Sequence, residues 1–191
     1  ERIVGGQWLN DEVIDYLVWH LRRSAAGLQV LTCAESHAFL TGRKNGEPRW
    51  SRRVNIAGSV TAVPVHRGTK SHWALLIVDA VARKFTYWDS LGLEMERSLR
   101  EVVHEYVVLD WKQRDLSGDP PADVDAWTLT RPWDEESHPQ EGDDDSSCGL
   151  YLIELVRQVT LGGLGIGFLP PMLAHDDLAA GRLVRVLPTW N

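Results

Sequence analysis

Apolar residues recur at Val13, Ile14, Leu17, Val18 and Leu21, every third or fourth position, which predicts an amphipathic helix running to about Arg23. Asn10 or Asp11 stands ahead of it, where a short side-chain oxygen satisfies free N–H groups of the first turn. Residues 24 to 52 are mixed and predict only a short helix and a loop around Gly42 to Pro48. Val60 to His66 alternates as a strand, and Pro64, with no N–H to give, places it at a sheet edge. Trp73 to Val78 is an unbroken apolar run, as expected of a strand buried on both faces. Lys84 to Trp88 is a second strand, and the short connection near Ala80 to Ala82 makes the two a hairpin.

From Glu94 to about Gln113 the period returns to helical, with Met95, Leu99, Val102, Val103 and Tyr106 on one side. A Gly/Pro/Asp loop covers Leu116 to Asp125, a strand is expected over Ala126 to Arg131, and Asp134 to Ser147 is a polar, strongly acidic loop. Cys148 to Leu161 then predicts a helix, followed by a glycine-rich turn, a short helix near Pro171 to Ala180 and a last apolar stretch, Leu183 to Leu187. No repeat or linker divides the chain, so residues 1–191 are expected to form one catalytic domain.

Three segments carry candidate chemistry: His72-Trp73 opening a buried strand, Asp89-Ser90 closing the next, and Ser147-Cys148-Gly149 opening a helix. If the hairpin turns near residues 80–81, residue 72 pairs with residue 89, and directly opposed residues share a face with Cβ atoms about 4.5–5.5 Å apart. Asp89 would then orient His72 and favour its charged form, which is what a base serving a nucleophile needs. Cys148 supplies the nucleophile. A free thiol has a pKa of about 8.5, and the N–H groups and dipole at a helix N-terminus favour thiolate. Gly149 lets backbone and substrate approach closely, and nearby N–H groups can hold an oxyanion.

Composition narrows the field. Twenty basic against 27 acidic residues leave a net charge of -7, which argues against nucleic acid or an anionic membrane as partner. Two cysteines, Cys33 and Cys148, make no disulfide framework and fit a reducing, intracellular compartment, cytoplasmic or nuclear, or a host cell for a pathogen effector. The seven histidines are scattered without HExxH or CxxC spacing, so neither metal nor cofactor is expected. Ile3-Val4-Gly5-Gly6 resembles the mature N-terminus of trypsin-like proteases, but their Gly-Asp-Ser-Gly-Gly segment does not occur. The chain starts abruptly at Glu1, as expected of a domain cut from a longer protein.

In their order, these blocks resemble the ubiquitin-like-protein proteases, the SUMO and NEDD8 proteases related to adenovirus protease. Trp8-Leu9-Asn10-Asp11-Glu12-Val13-Ile14-Asp15 is similar to that family's N-terminal helix, and His72-Trp73-Ala74-Leu75 and Tyr87-Trp88-Asp89-Ser90-Leu91-Gly92 to its His-Trp and Tyr-Asp-Ser blocks. Ser147-Cys148-Gly149-Leu150-Tyr151 resembles its nucleophile block. The resemblance implies an α+β papain-like fold, a central mixed sheet flanked by helices, with a His72, Asp89, Cys148 triad and no cofactor. It also implies that Trp8 and Trp73 wall a tunnel for a Gly-Gly tail, with Asp11 and Gly149 beside the substrate; flat aromatic walls admit a chain without side chains and reject a bulkier one.

Two positions depart from the family pattern. Six residues before Cys148, where the family carries an oxyanion-donating Gln, this chain has Gly142, and Gln140 becomes the candidate donor. Ser147 stands where the family prefers Asp, with Asp145 as the nearby acid that can compensate. The acidic loop holds Asp134, Glu135, Glu136, Glu141, Asp143, Asp144 and Asp145, which suit arginines in a ubiquitin- or NEDD8-type tail better than a SUMO-type tail. Acids this near Cys148 would raise its pKa, so most of them are expected to point into water.

The expected activity is hydrolysis after the Gly-Gly terminus of a ubiquitin-like modifier (SUMO, NEDD8 or ubiquitin), in precursors or conjugates, by a monomeric thiol protease. A related acetyltransferase chemistry on the same His/acid/Cys set, and a binding module of little turnover, are the alternatives.

Overall fold

The structure is a computed structural model and describes residues 10–22, 28–68, 72–121, 123–140, 144, 146–152, 155 and 171–182. Trp8 and the stretch Leu183 to Leu187 lie outside the described residues.

Helix α1 spans Asp11–Arg22. Asn10 caps it, its Oδ1 accepting from the Val13 N–H at 3.2 Å, and Asp11 and Glu12 place negative charge at the positive end of the dipole. The segment that sequence alone left mixed holds strand β1 (Leu28–Val30), helix α2 (Cys33–Thr41) and a small hairpin of β2 (Arg43–Lys44) and β3 (Glu47–Pro48). Its signals are short: α2 is started by a Thr32/Glu35 capping box, and β1 is three residues long.

Five strands form the main sheet in the order β1-β4-β5-β6-β7, with β4 Val60–Arg67, β5 His72–Asp79, β6 Lys84–Asp89 and β7 Thr128–Thr130. The two outer pairings, β1 to β4 and β6 to β7, are parallel, and the inner ones are antiparallel, so the sheet is mixed. Strand β4 is therefore interior rather than the expected edge. Pro64 is tolerated because β1 covers only Val60 to Ala62, leaving residue 64 flanked by β5 alone. Helix α3 spans Arg97–Gln113, three residues shorter at its start than expected, with Met95 buried ahead of it. Strand β7 is likewise shorter, a 3-10 turn occupying Val124–Ala126. Residues 148–152 begin helix α4, and Pro171–Ala179 form α5.

The period-2 alternation of the strands sorts side chains onto two cores. Val63, Val65, Ala74, Leu76, Val78, Phe85 and Tyr87 pack with α2 and α3 through Phe39, Val103, Tyr106 and Val107. Ala62 and Leu75 face the other way, onto Ile14 of α1 and onto Leu152 and Leu155. Each fully buried aliphatic contributes about 1.5–3 kcal/mol relative to exposure. The sheet thus has a helix layer on both sides, and the α+β papain-like expectation holds.

Candidate active site

The β5–β6 hairpin positions the first two groups. Its observed register pairs Ala74 with Asp89, not His72 with Asp89. The turn takes four residues, 80–83, with Arg83 in the left-handed region at φ 52°, and this shifts the pairing by two positions. A shift of two preserves the face, so His72 becomes the diagonal neighbour of Asp89 and the contact survives. His72 Nε2 lies 2.8 Å from Asp89 Oδ1, with both side chains buried.

Asp89 is fully buried and saturated. Its Oδ1 also accepts from the Leu91 N–H at 3.0 Å, and its Oδ2 accepts from the Tyr87 hydroxyl at 3.3 Å and from Arg67 Nη1 at 3.4 Å. Burial pushes this carboxyl up, but the hydrogen bond and charge of His72, the Leu91 amide and Arg67 outweigh it and hold it below the ordinary carboxylate range.

Cys148 reaches the same place from the opposite layer. Helix α4 packs on the Leu75 face of the sheet, and its first residue meets the end of β5. Burial pushes the Cys148 thiol up, yet the hydrogen bond from His72, the Trp73 and Gly149 backbone N–H groups and the His72 charge bring it below its ordinary value. Desolvation likewise opposes a charge on His72, but Asp89 and Cys148 together raise it to about 9. The two shifts describe one thiolate–imidazolium pair, with the carboxylate behind the imidazole. Cys33 supplies the contrast: also a free, buried thiol, it is pushed well up by burial and by Asp15, whose carboxylate accepts from the Cys33 N–H.

The other sequence-predicted residues fall around this centre. Trp73 is half-buried on β5, tilted against His66 with ring centroids 4.7 Å apart. Gly149 follows the nucleophile in α4. Asp11 is exposed in the first turn of α1 and accepts from the Glu12 N–H at 3.1 Å. Gln140 is buried with both ends of its amide engaged: Oε1 accepts from the Ser90 hydroxyl at 2.6 Å, and Nε2 donates to the Asp144 carbonyl. Its backbone N–H donates to Ser90 O at 3.0 Å, so Gln140 ties the acidic loop to the turn after Asp89.

Asp145 lies outside the described residues, and Asp144 is the acid that supports the nucleophile turn. Its Oδ1 accepts from the Ser146 and Ser147 N–H groups, each at 3.1 Å, and Ser147 O begins the hydrogen bonding of α4 by accepting from Tyr151 N. Asp144, half-exposed, is thus drawn into the turn through one oxygen, while Glu135 and Glu136 are exposed, as expected of most of the loop acids. Asp134 is also committed locally, accepting from Ser137 Oγ at 2.7 Å and from the Glu136 and Ser137 N–H groups. Arg67 was not singled out from sequence. Only the antiparallel register, which sets Arg67 opposite His72, shows its proximity.

The profile of the Ulp1 protease family, C-terminal catalytic domain, matches residues 7–164. Sentrin-specific protease 2 of Homo sapiens is 29% identical over 106 residues, covering 52% of this chain and 18% of that protein, and its Mus musculus counterpart is 32% identical over 111 residues with the same coverage. The chain thus spans about a fifth of the length of these relatives. Among solved structures, the Ulp1 protease domain in complex with Smt3, the yeast ortholog of SUMO, superposes with a TM-score of 0.59 at 22% identity, over 85% of this chain and 68% of that one. A Ulp1 structure whose catalytic cysteine is oxidised to a sulfonic acid gives 0.60 at 19% identity, over 95% and 83%.

Proposed function

We propose that this chain, which belongs to the Ulp1 protease family of cysteine proteases, hydrolyses the bond after the C-terminal Gly-Gly of a SUMO-type modifier. One observation carries the reading: His72 is held at 2.8 Å by a buried carboxylate and sits beside the Cys148 thiol, each of the two favouring the charged form of the other. That arrangement makes a nucleophile and the acid that must follow it.

Cys148 thiolate attacks the carbonyl carbon of the terminal glycine, and negative charge moves to the carbonyl oxygen. That charge develops at the positive end of helix α4, whose leading turn Asp144 holds through the Ser146 and Ser147 N–H groups. His72 gives its proton to the departing amine as the C–N bond breaks, leaving a thioester on Cys148. Water then gives one proton to His72 and attacks the thioester, releasing the modifier's carboxylic acid, which loses its proton to solvent, and restoring the thiolate–imidazolium pair. Asp89 keeps the imidazole oriented through both steps. In this reading Trp73 forms a wall of the Gly-Gly passage, and Gln140 acts as a strut for the loop that carries Asp144.

The choice of SUMO over NEDD8 or ubiquitin rests on the sentrin-specific relatives and on the Smt3 complex among the structural neighbours. The acidic loop offers little against it, since Asp134 and Asp144 are engaged in local turns rather than presented to a partner. The test is covalent capture by SUMO, NEDD8 and ubiquitin carrying a C-terminal electrophile. Labelling of Cys148 by the SUMO probe, absent in Cys148→Ala, is expected. No SUMO adduct on folded protein, or preferential labelling by ubiquitin, would sink the assignment.

A further inference from the structure

We propose that Arg67 is a positioning residue of this site, a fixed cation that clamps Oδ2 of Asp89 so that Oδ1 faces His72. The inference rests on the protease reading and deepens it. A carboxylate has two oxygens and can turn about its last bond; a catalytic one must present one oxygen to the imidazole and keep it there. On Asp89 the second oxygen is held from two directions, by the Tyr87 hydroxyl at 3.3 Å and by Arg67 Nη1 at 3.4 Å. The phenol relays the same hold, accepting from Arg67 at 3.4 Å while donating to the carboxylate.

Arg67 is itself anchored. Its Nη1 donates to the Glu94 carbonyl at 3.1 Å, and its Nη2 pairs with Glu96 Oε1 at 3.1 Å, so the planar fork ties β6 to the segment ahead of α3. Its side chain is only 17% exposed, and its register partner is His72, which fixes it at the same end of the sheet. The charges also need it. Thiolate, imidazolium and carboxylate together carry one net negative charge in a buried site, and a buried unpaired charge is costly. Arg67 supplies the balancing positive charge, while Glu96 pairs with it from the exposed side.

The test separates positioning from a merely structural role by the pH profile. Removing a cation raises the pKa of each ionisable neighbour, so both limbs of kcat/KM should move to higher pH. In Arg67→Met or Arg67→Gln we expect an upward displacement of roughly half a unit or more in both limbs, a kcat lower by about 10- to 100-fold, and an unchanged KM. Arg67→Lys, which retains the charge, should bring the limbs back toward wild type. Should Arg67→Met fail to fold, the Gln variant, whose amide can still donate to Tyr87, carries the same comparison. The pH dependence of Cys148 alkylation by a haloacetamide, separated from Cys33 by peptide mapping, gives the displacement without any modifier. A shifted alkylation profile in an enzyme that ignores SUMO substrates would therefore remove the proposed substrate and leave this inference standing. Limbs that overlay the wild-type profile, with only a lower melting temperature, would overturn it.

Discussion

Gly92 and Asp134 touch backbone to backbone: a Cβ on residue 92 would stand 2.3 Å from the Asp134 carbonyl oxygen and 2.6 Å from its carbon. Residue 92 also holds φ at +65°, in the left-handed region. The turn after Asp89 and the loop leading to Gln140 are pressed together here, and the Gly92 N–H closes the turn onto Asp89 O at 2.9 Å. Only a residue without a side chain permits both.

Gly92→Ala is accordingly expected to lose about 2–3 kcal/mol, combining left-handed strain with a clash against backbone that has little room to yield. Because the same turn carries Asp89, kcat should fall as well. Urea denaturation gives the first quantity and modifier hydrolysis the second; a midpoint equal to wild type would show that the two segments separate easily.

The ion pair fixes a pH window. Activity needs Cys148 deprotonated and His72 protonated, so the rate should fall as pH rises through His72, near 9. Asp89→Asn removes the negative charge that raises His72, and its alkaline limb should move to lower pH, opposite in sign to the effect of removing Arg67. Turnover should drop by roughly 10²–10⁴ as the imidazole loses its orienting acceptor. A pH-rate series on both proteins checks the sign, and an unmoved alkaline limb would mean that Asp89 does not set the imidazole.

Asp110 of α3 governs stability away from the chemistry. Fully buried, it accepts from Trp50 Nε1 at 2.7 Å, Ala57 N at 3.1 Å and Arg114 Nε at 2.7 Å. Asp110→Ala strands these donors, the Arg114 cation among them, and should cost about 3–5 kcal/mol in thermal or denaturant unfolding. At a temperature where the variant remains folded, kcat should match wild type.

Asp144→Ala removes the acceptor for the Ser146 and Ser147 amides at the start of α4 and should cost about 1 kcal/mol. If the turn it holds also fixes the start of α4 beside the oxyanion, kcat falls further than the stability loss explains. Equal activity at full folding would assign Asp144 to the cap alone.

The sequence made legible the elements with long periods or strong end signals: α1 from its apolar stripe and Asn10, β5 and β6 from their apolar runs, and the order of the His, Asp and Cys blocks. It did not make legible β1, β2 or β3, whose two or three residues are too short for a period, and the partner of β1 is also distant in sequence. The hairpin register differs from the expected one because Arg83 takes a left-handed conformation that its side chain does not advertise. The site survives that difference only because a two-residue slip keeps each side chain on its face. Arg67 stayed hidden for a related reason, since its link to Asp89 passes through the fold and not through any local motif. Gln140 and Asp144 meet across a loop whose composition announces only negative charge.

The nucleophile and its base hang from opposite sides of one sheet: His72 and Asp89 share the side packed on α3, while Cys148 rides on the helix packed against Leu75. Sliding one helix layer by an ångström or two would part sulfur from imidazole and leave each core intact. Catalysis in this chain is therefore a gauge of the alignment between two layers, and slow inactivation on warming would report their slippage before either layer melts.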